Sequence, residues 1–175
     1  VENMGILAIG LALGGVGMLA AMIHLVGHSL IKAAFFLTSG NVLKLFNTKK
    51  IKNIEGIMSV DRKTGWLWVL SFLGICAFPP SVLFISEFLI VKTMIKSEQY
   101  LLCGLFLVLL TIILYGIGHN VISMAFGNKN DNVKSVSFSM SMYLPQVILL
   151  TLAFLLGVYM PDFISNMILD SSIGL

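Results

Sequence analysis

The thirty residues GMLAAMIHLVGHSLIKAAFFLTSGNVLKLF, Gly17 to Phe46, decide how this chain folds. A helix of about 20 apolar residues crosses a hydrocarbon core about 30 Å thick, so this stretch is long enough to cross with some tilt. Its titratable residues fall in order. His24, His28 and Lys32 stand at i, i+4 and i+8, which places them along one helix face over about 12 Å. Lys32 is 15 residues from Gly17 and 15 from Asn47, about 22 Å from either end along the axis, too far to snorkel. A lysine at that depth costs about 2.5–3.5 kcal/mol on insertion scales, so it is expected to face other helices, a carboxylate or water. Burial penalises the charged form and brings the two protonation states together in energy, so such a group can take up and release a proton. Histidine needs little help to do the same. The static alternatives are a permanent ion pair for Lys32 and interhelical hydrogen bonds from neutral imidazoles for the histidines.

Outward from this span the apolar pattern divides into further segments. Before it, Met4 to Leu13 is too short to cross and ends at Gly14, Gly15 and Gly17. The chain opens on Val1 without the basic flank of a signal peptide, so the first segment is expected to be the far end of a helix and the chain a fragment. After it comes the one strongly polar stretch, NTKKIKNIEGIMSVDRKTG from Asn47 to Gly65, read as a surface loop outside the hydrocarbon. A short helix is expected from Trp66 to Phe78, with Trp66 and Trp68 as an interfacial belt. Pro79 and Pro80 stop it and are expected to turn the chain, so that Ser81 to Ile95 starts back. Tyr100 to Phe126 is a long span, followed by the polar GNKNDNVKS and a terminal span from about Met140 to Met160. In the tail, Phe163, Ile164, Met167 and Ile168 have the spacing of an amphipathic helix lying on the membrane or a partner. Alternating loops would put Asn47–Gly65, Lys96–Gln99 and the tail on one face, whose excess of Lys and Arg marks it as cytoplasmic by the positive-inside rule.

Composition agrees with a bilayer and excludes other classes. Hydrophobic residues make up 58% and charged residues only 11% of 175, against about a quarter charged in soluble domains. The net charge of +3 forms no basic stripe interleaved with aromatics, so nucleic acid is not a partner. Cys76 and Cys103 lie far apart in apolar segments and read as packing residues. No phosphate loop, metal-ligand cluster or nucleophile elbow is present in the sequence, and no cofactor is expected in this chain.

A second charge matches Lys32. Glu87 is seven residues past Pro80 and nine before Lys96, about 10–13 Å from either end of its segment if helical. It follows a helix break, and broken helices at mid-membrane depth are where transporters place ion sites, because freed backbone groups can line a wet cavity. Its bland reading is a carboxylate at the headgroups. His119 is a weaker candidate, since it lies only about seven residues from the polar end of its span.

The runs IHLVGHSLIKAAFFLTSGNVL, KKIKNIEGI and FPPSVLFISEFLIVKTMI resemble the antiporter-like membrane subunits of respiratory complex I, multi-subunit cation/proton antiporters and energy-converting hydrogenases. With VENMGILAIGLALG, they look most like component F of hydrogenase-4 and formate hydrogenlyase type complexes. The resemblance implies an all-α integral membrane fold of about five to six transmembrane helices, one broken by Pro79-Pro80, corresponding to the second of two inverted repeats. Residues 1–126 would form that repeat, 127–139 a loop, 140–160 a terminal helix and 161–175 an amphipathic tail. By the same match, Lys32 with His24 and His28 corresponds to the central helix of the repeat and Glu87 to the charged residue of its discontinuous helix. The first repeat's Glu and Lys pair is absent, so half a proton path is implied. The family topology also places the Asn47–Gly65 loop on the outer face, against the charge count.

The sequence therefore reads as a proton-translocating membrane subunit, in its C-terminal part, of a hydrogenase-4, formate hydrogenlyase or complex I-like assembly in a prokaryotic inner or plasma membrane. It is expected to carry no redox chemistry, electrons being handled by partner subunits with nickel–iron and iron–sulfur centres. Protons would pass among Lys32, His24, His28 and Glu87, with His119 as the weak addition. Two rivals stand beside it: a member of a multi-subunit Na+ or K+/proton antiporter, and a non-conducting structural module.

Overall fold

The computed structural model describes residues 2–128, 138–159 and 166, and among these the regular structure is all helical. The elements are α1 (Glu2–Leu13), α2 (Gly15–Phe46), α3 (Ile57–Val60), α4 (Arg62–Ile75), α5 (Val82–Lys96), α6 (Tyr100–Phe126) and α7 (Leu144–Val158), with short 3-10 turns at Ile51–Asn53 and Met140–Met142. Two of them, α2 and α6, are long and apolar enough to cross a membrane by length and composition. The long helix α2 is the spine, packing against α1, α4, α5 and α7.

The chain reverses between α1 and α2 at Gly14, whose φ of +68° is a conformation glycine adopts without a Cβ penalty. The two helices then pack through small residues. A Cβ on Gly10 would stand 2.9 Å from both the Gly17 carbonyl oxygen and the Ala21 Cβ, the close backbone approach that such residues permit in bilayers. Running back along α2, α1 places Ile6 with Ala20 in one core cluster and Asn3 beside His24.

The Pro79-Pro80 segment departs from the expected turn. Trp68 of α4 packs in a core cluster with Val42, Gly74 faces Ile31, Val82 of α5 faces Gly27, and Ile90 clusters with Ala20. The partners step steadily down α2, so α4 and α5 follow one another along it, antiparallel, as a single interrupted helix. The prolines break the helix without reversing it. Their missing donors end the ladder, and the tight packing of both halves on α2 holds them in line. Loop placement changes accordingly. Asn47–Gly65 shares its face with the segment before α7: Lys63 Nζ lies 5.4 Å from the Tyr143 ring centre, and Lys44 Nζ 5.4 Å from that of Phe138. Lys96–Gln99 lies at the opposite end.

Four further expectations are revised. The polar stretch is not wholly a surface loop: Ile54 and Ile57 are buried against Trp68, Phe72, Val121 and Met124, because two of its three isoleucines have an apolar groove within reach. Helix α4 begins at Arg62 rather than Trp66, since the Asp61 carboxylate accepts from the backbone N–H groups of Lys63 (3.3 Å) and Thr64 (3.2 Å) as an N-cap. Of the two tryptophans, Trp66 is exposed, as an interfacial residue would be. Trp68 is buried instead, with its ring centre 4.6 Å from that of Phe35. The last helix with given bounds is α7, Leu144–Val158, which starts later than the stretch expected; the amphipathic tail lies outside the described residues apart from Asn166.

Candidate functional site

The helix break sits against the middle of α2 because Gly27 has no side chain. A Cβ there would collide with Val82, so glycine is what lets the start of α5 close onto the turn between His24 and His28. Ser81 caps α5, its Oγ accepting from the Phe84 N–H at 3.4 Å. Its hydroxyl donates to the Gly74 carbonyl oxygen, also at 3.4 Å. One side chain thus serves backbone groups on both sides of the interruption, as irregular backbone in a membrane requires.

His24 is fully buried at this junction. Its Nδ1 lies 3.0 Å from Ser86 Oγ, and its Nε2 lies 3.1 Å from Asn3 Oδ1. Ser86 donates its one hydroxyl proton to the Leu83 carbonyl oxygen at 2.8 Å, so toward His24 it accepts, and Nδ1 carries the proton. One turn on, the His28 ring stacks parallel to that of His24, the ring centres 6.1 Å apart and the planes at 6°. His28 is buried, and its Nδ1 has no hydrogen-bond partner among the described residues. A buried polar atom left unmatched costs about 1–3 kcal/mol. A water would satisfy it in either protonation state.

Glu87 follows Ser86 directly and is half-buried. It lines a cavity of about 260 Å³ together with Asn3, Cys76, Ala77 and Thr111. That volume has room for several waters, and Asn3, Glu87 and Thr111 give them polar partners within an otherwise mostly apolar lining. Asn3 touches both places, bonded to His24 on one side and bordering the Glu87 cavity on the other.

Of the residues singled out from the sequence, His24, His28 and Glu87 are therefore brought to one junction. Lys32 is half-buried on the next turn, its ammonium 5.8 Å from the ring centre of Phe36 on its own helix. His119 is placed elsewhere: it is exposed, its ring centre 6.4 Å from that of Tyr115, in a shallow groove beside Phe72 and Gly118. Sequence reasoning missed Asn3 and Ser86. Both are uncharged polar residues on largely apolar helices, a signal of the same kind as Glu87 but cheaper to bury.

Comparison with known proteins covers this junction. The family described as NADH:quinone oxidoreductase/Mrp antiporter, transmembrane region, matches residues 1–114, a range that includes Asn3, the α2 line, Ser86, Glu87 and Thr111. The hydrogenase-4 component F homolog of Methylacidiphilum infernorum is 30% identical over 92% of this chain and 33% of its own length. A Na+/H+ antiporter subunit of Alkalihalophilus pseudofirmus is 24% identical over 90% of this chain and 32% of its own. Hydrogenase-4 component B of Escherichia coli is 33% identical over 50% of the chain and 15% of its own. The chain spans about a third of the length of the first two of these relatives. With the match running through the interrupted helix and every residue at the junction, the chain belongs to the NADH:quinone oxidoreductase/Mrp antiporter family of integral membrane subunits.

Proposed function

We propose that this chain is part of a proton-translocating membrane subunit, in which protons pass between the α2 histidine line and Glu87 at the break between α4 and α5. The carrying observation is the arrangement around His24. It is buried, held at both ring nitrogens, stacked on His28, and joined through Asn3 to the cavity that Glu87 lines. Lys32, one turn beyond His28, is the next group along the same line, and its proton would exchange with His28 through water. Residues 1–126 act in this reading as the second antiporter-like repeat, and α7 as a terminal helix that closes the packing on α2 and α5.

Similarity to hydrogenase-4 component F supports an assembly of the hydrogenase-4, formate hydrogenlyase or complex I type in a prokaryotic inner membrane. In it this chain translocates protons while redox chemistry belongs to its partners. The test is proton pumping by the full complex carrying Lys32→Ala or Glu87→Gln. Pumping at the unmodified rate in both variants would defeat the reading. A second reading, membership of a Na+/H+ antiporter, is favoured by the similarity to the Alkalihalophilus pseudofirmus protein. Pumping that requires Na+ would select it, and pumping indifferent to Na+ would reject it.

A further inference from the structure

We propose that Asn3 is a positioning residue for proton transfer at His24: by turning about χ2, its carboxamide keeps Nε2 hydrogen-bonded in both protonation states of the ring. The proposal rests on the proton-path reading above and adds a residue and a site of exchange to it.

The geometry at Nδ1 decides where exchange takes place. Ser86 has one hydroxyl proton, committed to the Leu83 carbonyl, so it can only accept from Nδ1–H. Nδ1 therefore stays protonated, and the proton that comes and goes is the one on Nε2. There the partner is Asn3, whose Oδ1 stands 3.1 Å away and accepts from Nε2–H in the imidazolium. Once that proton leaves, Nε2 becomes an acceptor and needs a donor. A half-turn of the carboxamide presents Nδ2–H in place of Oδ1, since the two ends of the group are nearly the same size. Serine's hydroxyl on the other side has no such freedom while it serves Leu83.

Asn3 is also the residue that borders the cavity. On release Asn3 swings aside and a water from the cavity it borders takes its place at Nε2; the Nε2–H bond breaks, its electron pair stays on the nitrogen, and the proton goes to that water, which passes one of its own to the Glu87 carboxylate before the carboxamide returns with its Nδ2–H toward Nε2. Asn3 is neither protonated nor consumed. The titratable groups around His24 in this arrangement are His28 on its own helix, with Lys32 one turn further, and, bordering the cavity beyond Asn3, Glu87 of α5 and Cys76; Asn3 and Ser86 are uncharged. An unmatched Nε2 in either state would cost about 1–3 kcal/mol, so a two-faced partner keeps the two states close in energy, which exchange requires.

The variants to compare are Asn3→Asp, the same shape but acceptor only, Asn3→Leu, with neither function, and Asn3→Gln, which keeps both ends. They are made in the full-length subunit within its assembled complex. Proton translocation is measured in proteoliposomes, and the ¹⁵N signals of the His24 ring by solid-state NMR. Asp and Leu are expected to lower translocation on the order of 10- to 100-fold, with Gln recovering part of it. In the Asp variant the ring signals are expected to remain in one form across the pH range in which the unmodified protein changes form. Translocation by Asn3→Asp at the unmodified rate, or ring signals that change with pH as before, would overturn the proposal. If a variant does not assemble, the unmodified protein still decides: neutral His24 must be the Nδ1–H tautomer, and finding Nε2–H would sink the idea. His24→Phe and Glu87→Gln in the same preparation separate the two claims. If they pump normally, the path itself is wrong; if they fail while Asn3→Asp works, only the role of Asn3 is.

Discussion

Two carboxylates in this chain stand in different surroundings and serve different ends. Asp61, at the end of the fold that carries the polar loop, is saturated. Its oxygens cap α4 through the Lys63 and Thr64 backbone N–H groups and accept from the Thr64 hydroxyl at 2.5 Å and the Tyr143 hydroxyl at 2.8 Å. These contacts hold the first turn of α4 and tie it to the start of α7. Glu87, half-buried on α5, instead borders a largely apolar cavity that it shares with Asn3, the residue bonded to His24. A carboxylate whose oxygens are engaged by fixed donors acts as a clamp. One that also borders a cavity with room for water has a route along which its proton can leave.

This contrast is tested most severely by Glu87→Gln. The substitution keeps shape and removes the titration, so translocation by the assembled complex is expected to fall on the order of 100-fold. Thermal unfolding should change little. The converse is Asp61→Ala, which loses the cap and leaves the Tyr143 hydroxyl unmatched. A destabilisation of about 2–3 kcal/mol, read from thermal unfolding in detergent, is expected, with translocation per assembled complex unchanged. If Asp61→Ala abolished translocation without unfolding, the contrast would be broken.

A smaller effect sharpens the inner half. Ser86→Ala removes the acceptor for His24 Nδ1–H, and a loss of about tenfold in translocation is expected from an unmatched buried donor. A rate within about twofold of the unmodified protein would show that Nδ1 is not anchored there. The smallest effect belongs to the outer half. Burial, followed by the hydrogen bond and charge of Asp61, raises the Tyr143 phenol from the usual 10.0 to about 12. Because the folded value is the higher one, the stabilisation from this tyrosine is complete below about pH 10 and is lost as pH rises through about 12. Ultraviolet titration should show one late-ionising tyrosine that is missing in Tyr143→Phe. That variant should be less stable at neutral pH by about 1 kcal/mol. A tyrosine set that ionises together near pH 10 would remove the clamp from Tyr143.

Much of this was legible in the residues. The i, i+4, i+8 order of His24, His28 and Lys32 survives as one face of α2, and Tyr100–Phe126 appears as a helix with those bounds. The Pro-Pro interruption and Glu87 just beyond it were likewise visible. What was not legible was direction. From Pro79 and Pro80 alone a reversal is as natural as a broken but continuing helix, and the choice lies in contacts between residues far apart in the chain, such as Gly27 with Val82 and Ile31 with Gly74. Asn3 and Ser86 were invisible for a related reason. An uncharged polar residue on a largely apolar helix carries little insertion cost, so nothing in the local pattern marks it until a partner is found.

The sequence by itself determined the membrane-spanning helices, the line of titratable groups and the place of the break, because these follow from composition and helical period, which are local. Only the tertiary structure decided that His24 meets Asn3 and Ser86, that α4 and α5 lie end to end along α2, and that the polar loop and the start of α7 share one face. Those pairings depend on where missing side chains let backbones approach and on which hydroxyl has a proton to spare, and both are properties of packed helices rather than of any one of them.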